Sequence, residues 1–200
     1  TLGRAAVVTD CKSRKGISGF TPAVRNVLKE KLERDAARGM HRPLKVMVVG
    51  IPNVGKSTLT NYLVGEKIAI VSNKPQTTRN RICGIVTRED TQFVFVDTPG
   101  YHRARTKLGD YMVNTVRESI ADVDATILVV EPIASIGAQE EGLIEKIKGS
   151  KCPAILAINK IDTVEKDTLL EVIAAYSQAF PFDAIIPISA KTGDGVEQLL

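Results

Sequence analysis

The stretch Lys45-Val-Met-Val-Val-Gly50-Ile-Pro-Asn-Val-Gly55-Lys-Ser57 decides the fold. A short apolar run of β-strand composition leads into a glycine-rich turn, and a helical pattern starts near Lys56. The glycines let the backbone wrap closely around phosphate, and the N–H groups of the turn and of the helix N-terminus face such an anion. Lys56 is placed to neutralise the outer phosphates, and the hydroxyl of Ser57 to ligate Mg²⁺. This is the pattern of a P-loop, which by itself serves ATP as well as GTP.

Apolar runs of strand length recur along the chain and alternate with helical patterns. Continuous apolar runs indicate strands buried on both faces, as in a parallel sheet between two layers of helices. The second and third runs are expected to form an edge hairpin that turns at Glu89-Asp90. The sequence therefore predicts an α/β P-loop NTPase fold of three layers, with a mostly parallel six-stranded sheet and a ligand at the carboxyl ends of its strands. The predicted strands are 45–49, 81–87, 92–96, 125–130, 154–158 and 184–188, and the predicted helices, besides the one near Lys56, are 22–38, 108–120, 138–148 and 164–178.

Two segments match the metal and γ-phosphate side of such a site. Asp97-Thr-Pro-Gly100 follows an apolar run downstream of the P-loop, so Asp97 can hold the Mg²⁺ shell through water and the Gly100 N–H can bond the γ-phosphate. In isolation these four residues would indicate only a turn. The linker Pro75-Gln-Thr-Thr-Arg-Asn80 must supply a threonine that completes the metal shell when GTP is bound. We expect Thr78 in this role, with Thr77 as the alternative.

Two later loops are suited to read the base. In Asn159-Lys-Ile-Asp162, the carboxylate of Asp162 can accept from both N1–H and the exocyclic amine of guanine, a donor pair that adenine lacks. Lys160 can lie along the base and the P-loop. Ser189-Ala-Lys191 follows the last strand and offers a backbone N–H to the guanine carbonyl oxygen. The predicted nucleotide-binding residues are Asn53, Val54, Gly55, Lys56, Ser57, Thr58, Asn159, Lys160, Asp162, Ser189, Ala190 and Lys191, and those around Mg²⁺ are Ser57, Thr78 and Asp97.

The catalytic set lacks the glutamine that many such sites use to orient the attacking water. Tyr101 stands in that position, followed by His102, which could position water or could simply face solvent. We therefore expect slow intrinsic turnover. Asn53 could bind a monovalent cation that spreads its charge over the phosphates, or could only brace the neighbouring switch loop. The catalytic residues predicted from the sequence are Asn53, Lys56, Thr78 and Gly100.

A basic segment of 44 residues precedes the P-loop domain. Lys and Arg outnumber Asp and Glu by 11 to 4 in residues 1–45, whereas the remainder holds 16 basic and 19 acidic residues. This asymmetry indicates either an anionic partner such as RNA or a solvated, Lys-rich helix face. Thr21-Pro22 is a helix start and Gly39 a helix end. The apolar stripe of this helix consists of Val24, Val27, Leu28 and Leu32.

Composition excludes several classes of protein. Hydrophobic residues make up 44% of the chain, enough for a sizeable core. No apolar run approaches the roughly 20 residues that span a bilayer, and no signal peptide is recognisable. Cys11, Cys83 and Cys152 lack paired spacing, which argues against a disulfide framework or a zinc site. We expect a cytoplasmic protein that acts as a monomer.

From about Asn61 to Leu200 the chain resembles the GTPase domain of the Era family, bacterial assembly factors of the small ribosomal subunit. This resemblance implies a Ras-like GTPase domain, a GTP switch that requires Mg²⁺, stimulation by K⁺, and binding to a ribosomal precursor or rRNA. Era proteins carry an RNA-binding KH domain after the GTPase domain, and we expect no such domain within these 200 residues. The resemblance is carried by Lys67-Ile-Ala-Ile-Val-Ser-Asn-Lys-Pro-Gln-Thr-Thr-Arg79, Phe95-Val-Asp-Thr-Pro-Gly-Tyr-His102, Lys107-Leu-Gly-Asp-Tyr-Met-Val113 and Ile188-Ser-Ala-Lys-Thr-Gly-Asp-Gly195.

The front part, about residues 1–60, is similar to the circularly permuted YlqF/RbgA GTPases of the large-subunit pathway, in which the guanine-site loop and last helix precede the P-loop. Residues 8–17 align without gaps to residues 187–196, so Asp10-Cys-Lys12 can be a degenerate copy of Ser189-Ala-Lys191. We favour the C-terminal copy for base binding. The helix 22–38 is then expected to pack where a last helix would lie, leading straight into the first strand. This division gives a front extension, 1–44, and a GTPase domain, 45–200, in a chain that could be a hybrid.

Three functions compete at this point. The first is a slow GTPase whose GTP and GDP states dock differently on a ribosomal precursor, of the small subunit as in Era or of the large subunit as in YlqF/RbgA. The second is a nucleotide-gated RNA-binding module with negligible turnover, which the basic front and Tyr101 favour. The third is a GTPase in tRNA modification or metal transport, which the Era-like middle disfavours.

Overall fold

The computed structural model describes residues 23–38, 42–69, 71, 82–88, 91–98, 123–150, 152–196 and 199. All statements about structure below concern these residues. Several predicted features lie outside them, namely the loop Asp10-Cys-Lys12, the helix limits at Pro22 and Gly39, the hairpin turn Glu89-Asp90 and the helix 108–120.

The described elements are six strands and five α-helices. The strands are β1 (Leu44–Val49), β2 (Ile82–Arg88), β3 (Thr91–Asp97), β4 (Ala125–Val130), β5 (Ala154–Ile158) and β6 (Ala184–Pro187). The helices are α1 (Ala23–Val27), α2 (Lys29–Ala37), α3 (Lys56–Val64), α4 (Ala138–Ser150) and α5 (Lys166–Ala179), and a 3₁₀ helix spans Ile161–Thr163. The strands form one sheet in the order β2-β3-β1-β4-β5-β6, in which only the β2–β3 pair is antiparallel. The predicted α/β P-loop fold is confirmed.

The central strand β1 explains why the strands read as continuous apolar runs. Val46 and Val48 belong to the core on one face of the sheet, while Met47 and Val49 belong to the core on the other. All four are fully buried, because successive side chains of a strand point to opposite faces and helices cover both. Burying each such side chain stabilises the fold by about 2 kcal/mol.

The helices divide between the two faces. The helix after the P-loop, α3, contributes Leu59 and Leu63 to the core that also contains Val24 and Leu28 of the front extension, residues 1–44, hereafter the front segment. On the opposite face, α4 and α5 supply Leu143, Ile147 and Tyr176 to the second core. Among the described residues, none of the helices combines the length and apolar character that crossing a membrane requires.

Two departures from the predicted helices have local reasons, namely a division of the front helix and a later start of α5. The single helix expected over 22–38 is divided at Leu28, whose backbone (φ −96°, ψ 4°) departs from helical values. The helix expected from residue 164 begins at Lys166, because Val164 and Glu165 are extended after the 3₁₀ turn. The apolar residues keep their helical spacing through Leu28 and through residues 164–165. The sequence pattern therefore indicates neither the division of the front helix nor the later start of α5.

The described part of the front segment, residues 23–38 and 42–44, contacts the P-loop domain near both of its ends. Val24 and Leu28 are buried together with Ile188, Val196 and Leu199, and the Val24 N–H donates to the Leu199 carbonyl at 3.3 Å. At the other end, Lys31 and Arg42 donate to the buried carboxylate of Asp124, just before β4. The segment therefore packs on the α3 face and leads into β1.

Candidate functional site

The P-loop runs between β1 and α3 and needs glycine at two positions. A Cβ on Gly50 would lie 2.4 Å from the Val129 carbonyl oxygen, so this turn presses on the backbone of β4. A Cβ on Gly55 would lie 2.2 Å from Asn159 Nδ2, and Gly55 also has a left-handed backbone (φ +98°). Asn53 adopts the same left-handed region (φ +65°) and is exposed. The loop is thereby wrapped tightly with its backbone available to an anion.

Lys56, the first residue of α3, is a buried cation. Its side chain is 6% exposed, and its ammonium donates to the Ile51 carbonyl at 2.8 Å, across the loop. Burial lowers the pKa of Lys56 to about 8, an effect that the nearby carboxylate of Asp97 partly opposes. A phosphate would supply the negative charge that this ammonium needs to stay protonated in a buried position.

Ser57 and Asp97 meet at the carboxyl ends of β1 and β3. The Ser57 hydroxyl donates to Asp97 Oδ2 at 2.8 Å, and Asp97 is fully buried. Thr98 follows and donates its hydroxyl to the Val48 carbonyl at 2.8 Å, which fixes the end of β3 against β1. A hydroxyl and a carboxylate are oxygen donors of the kind that Mg²⁺ prefers, one directly and one through water.

Asn159 joins the P-loop to the last loop of the domain. Its side-chain amide donates to the Val54 carbonyl at 2.7 Å, and its side-chain oxygen accepts the Ala190 N–H at 2.8 Å. It is 3% exposed and directly follows β5. The close approach of Gly55 to the same amide completes a three-way contact. The buried side chain of Asn159 therefore fixes the P-loop relative to the loop that follows β6.

The loop that begins at Asn159 is also hydrogen-bonded to the loop that follows β6. The Ser189 hydroxyl donates to Asp162 Oδ1 at 2.8 Å, and the Ile161 N–H donates to the Ile188 carbonyl at 3.2 Å. Asp162 is exposed, so its second oxygen remains open to a ligand. This contact brings the two predicted base-reading loops to one place.

The loop after β6 has its own internal support. The Ser189 N–H donates to the Asp194 carbonyl at 2.8 Å, and a Cβ on Gly193 would lie 2.1 Å from the Tyr62 hydroxyl of α3. Ala190 is buried, whereas Lys191 is exposed. The loop is thus held between β6 and the helix that follows the P-loop.

The residues present fit a guanine nucleotide with Mg²⁺. The tight wrap at Gly55, the buried ammonium of Lys56 and the oxygen pair of Ser57 and Asp97 suit phosphates and a divalent cation. Val54 and Thr58 flank these groups, the first buried and the second partly buried. Asp162 suits the donor edge of guanine. The switch residues Thr77, Thr78, Gly100, Tyr101 and His102 lie outside the described residues.

Sequence reasoning missed two features of this site. Glu131, directly after β4, forms an ion pair with Lys160, and nothing in the local sequence marks it. Asn61 accepts the N–H groups of Ile68 and Ala69 and donates to the Ala69 carbonyl, so it anchors the chain that leaves α3. Asn61 lies one helical turn after Ser57, and that spacing is the signal that could have identified it.

Comparison with known proteins agrees with this geometry. The sequence model of the family described as 50S ribosome-binding GTPase matches residues 45–160. GTPase Era of Ruminiclostridium cellulolyticum is 50% identical over 155 residues, which are 78% of this chain and 52% of that protein. GTPase Era of Geotalea uraniireducens is 52% identical over the same shares. The chain spans about half the length of the curated relatives it matches.

Solved structures agree as well. Era in complex with MgGDPNP and part of 16S ribosomal RNA has a TM-score of 0.74 at 34% identity, covering 79% of this chain and 54% of that one. An Aquifex aeolicus Era variant bound to GDP and AlF₄⁻ has a TM-score of 0.72 at 34% identity, covering 78% and 54%. Because the family match extends over more than half of the chain and the folds superpose, the protein belongs to the 50S ribosome-binding GTPase family, and its GTPase domain is similar to that of Era.

Proposed function

We propose that this chain binds GTP and GDP with Mg²⁺ and hydrolyses GTP slowly. The observation that carries the proposal is the contact of Asn159 with both Val54 and Ala190, since it holds the phosphate loop beside the base loop. Lys56 and Asp162 then face one edge of the sheet, where a single nucleotide can contact both.

Each group has a defined part in this proposal. The P-loop N–H groups and Lys56 bind the outer phosphates, and Ser57 with Asp97 holds Mg²⁺, which supplies charge neutralisation at the transferred phosphoryl group. Asp162 accepts from the guanine edge, and the Ala190 region faces the guanine carbonyl oxygen. Thr78 and Gly100 complete the γ-phosphate side, as in our sequence prediction. With Tyr101 in place of a water-orienting glutamine, the intrinsic rate is low.

The test of base recognition is Asp162→Asn. An amide offers guanine one acceptor and presents a donor to the base, so we expect affinity for GDP to fall at least about 100-fold and affinity for XDP to rise. Isothermal titration calorimetry with GDP, XDP and ADP measures both changes. A wild-type chain that binds ADP as tightly as GDP, or a variant with unchanged preference, would contradict the proposal.

We further propose that the GTP state docks on a small-subunit precursor through rRNA. The support is the 50% identity to Era and the complex of Era with 16S ribosomal RNA. Binding of this chain, loaded with a non-hydrolysable GTP analogue or with GDP, to isolated small and large subunits tests this. Preference for the small subunit in the GTP state is expected. The proposal implies a cytoplasmic location, since ribosomes are assembled there.

One observation favours a large-subunit role as a second candidate. Val24 and Leu28 of the front segment are buried in the same core as Ile188 and Val196, and the segment precedes β1 in the chain, which is the order expected of a permuted YlqF/RbgA-type domain. On this reading the helix pair α1–α2 serves as the last helix of the GTPase domain, and the chain combines two GTPase types. GTP-dependent binding to the large subunit alone would favour this candidate.

K⁺ stimulation is a separate proposal that rests on Asn53. Its exposed side chain, at a left-handed position in the P-loop, is available to a monovalent cation beside the phosphates. Phosphate release in K⁺ and in Na⁺ buffer, with Asn53→Ala as the comparison, measures the effect. Equal rates of phosphate release in the two buffers would mean that Asn53 only supports the neighbouring switch loop and binds no K⁺. Absence of release under all conditions would favour a nucleotide-gated RNA-binding module.

A further inference from the structure

An ion pair joins the ends of β4 and β5 beside the base loop. Glu131 directly follows β4, and its Oε1 accepts from the Lys160 ammonium. The strands are parallel neighbours, with Val130 paired to Ile158, and the Asn159 N–H donates to the Val130 carbonyl at 2.8 Å. The pairing of the strands therefore sets the spacing of the two charges.

The backbone of Lys160 is held on both sides. It has a left-handed conformation (φ +65°), and its carbonyl accepts the N–H of Thr163 at 3.0 Å and the Thr163 hydroxyl at 2.7 Å. Asn159 on one side is buried, and Ile161 on the other is tied to Ile188. The direction in which the side chain leaves the backbone is thus fixed, and only its own torsions remain free.

We propose that Glu131 is a positioning residue of the guanine site, which holds the Lys160 side chain ready for the nucleotide. The proposal rests on the assignment of Lys160 and Asp162 to that site. Both members of the pair are about one-third exposed, at 31% for Glu131 and 39% for Lys160, so water screens their attraction and the pair contributes little to folding stability. Its effect lies in fixing a flexible lysine before the base arrives.

Glu131 also gives Lys160 a carboxylate other than Asp162. Asp162 stands two residues further along and already accepts from Ser189 through Oδ1. With the charge of Glu131 removed, Asp162 becomes the nearest carboxylate along the chain for the Lys160 ammonium. A lysine bound to Asp162 would compete with the guanine amine for the same oxygens, so Glu131 protects guanine selectivity.

The experiment compares wild type with Glu131→Gln for binding of GDP, a non-hydrolysable GTP analogue and IDP. IDP keeps N1–H but lacks the exocyclic amine, so it depends less on Asp162. We expect the Kd for GDP and for the GTP analogue to rise by a common factor of about five, and the Kd for IDP to rise less. The Tm of the protein without nucleotide should move by no more than about 2 °C.

Two further variants serve as comparisons. Glu145→Gln removes the exposed pair of Glu145 with Lys148 on α4, at 2.7 Å, and should leave all three affinities unchanged. Glu131→Asp keeps a carboxylate on a side chain one methylene shorter and should give GDP affinity between those of wild type and Glu131→Gln. This ordering would support a positioning role that depends on charge.

Unchanged or tighter GDP binding by Glu131→Gln would overturn the inference, because Glu131 would then be neutral or inhibitory toward Lys160. Equal losses for GDP and IDP together with a fall in Tm would also overturn it, since a structural role would explain both. If wild type shows no preference for guanine nucleotides, the proposed function fails, and that result is distinct from either outcome for Glu131.

Discussion

Two buried charged groups lie at opposite ends of the sheet, Lys56 at the carboxyl ends of the strands and Asp124 at their amino ends. Asp124 is 4% exposed and accepts from Lys31, from Arg42 at 2.9 Å and from the Lys45 N–H at 2.8 Å. Burial would raise the pKa of Asp124, but the hydrogen bonds from Lys31 and Lys45 hold it below its ordinary value. Lys56 has one hydrogen bond from its ammonium within the described structure, to a backbone carbonyl, and its pKa is lowered.

The difference distinguishes a charge that serves the fold, Asp124, from one that we assign to nucleotide binding, Lys56. At Asp124 the protein itself supplies two opposite charges, Lys31 and Arg42, both from the front segment, so folding compensates the buried carboxylate. At Lys56 the described residues keep a cation buried, and this burial disfavours its charged form although the carboxylate of Asp97 partly opposes the effect. In our proposed function a phosphate binds this desolvated cation, which in the nucleotide-free protein lowers the stability of the fold.

Replacing the functional charge should have the largest effect and should act in two directions. In Lys56→Met, loss of a buried charged partner of the phosphates is expected to weaken GDP binding by about 3 kcal/mol, or about 150-fold. The nucleotide-free protein should become more stable, because lowering the pKa of Lys56 from 10.5 to about 8 corresponds to a cost of about 3 kcal/mol for burying its charge. Calorimetry and urea unfolding measure the two quantities. A variant that loses both binding and stability would contradict the contrast with Asp124.

Asp124→Asn is the matched test at the other end of the sheet. Its neutral amide leaves Lys31 and Arg42 without their carboxylate, and we expect the free energy of unfolding to fall by about 3 kcal/mol. Both cations are partly exposed and can recover hydration, so the loss should not be greater. GDP affinity should change less than threefold, about 0.6 kcal/mol. A large loss of affinity at native-like stability would show that the two ends are coupled.

The affinity for nucleotide should depend on pH, because the pKa of Lys56 is lowered to about 8. Phosphate favours the protonated lysine, so above pH 8 binding requires uptake of a proton, and the Kd for GDP should rise by up to about tenfold per pH unit. The stability of the nucleotide-free protein should change in the opposite direction, so its free energy of unfolding should rise with pH between about 8 and 10.5. Below about pH 8 the protonated lysine carries its burial cost, and deprotonation relieves that cost as pH rises toward 10.5.

Titrations of GDP between pH 7 and 9 measure the first effect, with Lys56→Met as the comparison because it has no group to protonate. If both proteins show the same pH profile, the dependence arises elsewhere, and the contrast between the two buried charges loses its strongest support.

The smallest effect should come from an exposed pair on the front segment. Lys29 and Glu33 are 4.0 Å apart on α2, with both side chains more than 60% exposed. Glu33→Gln is expected to change the free energy of unfolding by no more than about 0.5 kcal/mol, because solvent screens the pair. Urea unfolding beside Asp124→Asn compares an exposed charge with a buried one. A loss as large as that of Asp124→Asn would mean that α2 is held by its surface charges.

Local sequence patterns predicted most of the fold and also nominated the candidate site residues. Strand β1 and the turn from Gly50 to Lys56 follow from apolar continuity and glycine spacing, both of which act over a few residues. Asp97 and Asp162 were identified by their order after strands. The break at Leu28 and the later start of α5 were not, since hydrophobic periodicity does not record single-residue changes of backbone angle.

Sequence alone determined that a P-loop pattern, an aspartate after β3 and the segment Asn159-Lys-Ile-Asp162 follow one another along this chain, because each pattern depends on neighbouring residues. Only the tertiary structure decided that Asn159 would connect Val54 with Ala190, that Glu131 would hold Lys160, and that Asp124 would receive Lys31 and Arg42. These partners are separated by tens of residues and meet because parallel strands align their ends. Sheet pairing, which no local pattern encodes, therefore sets which of the described charged groups lie beside each other.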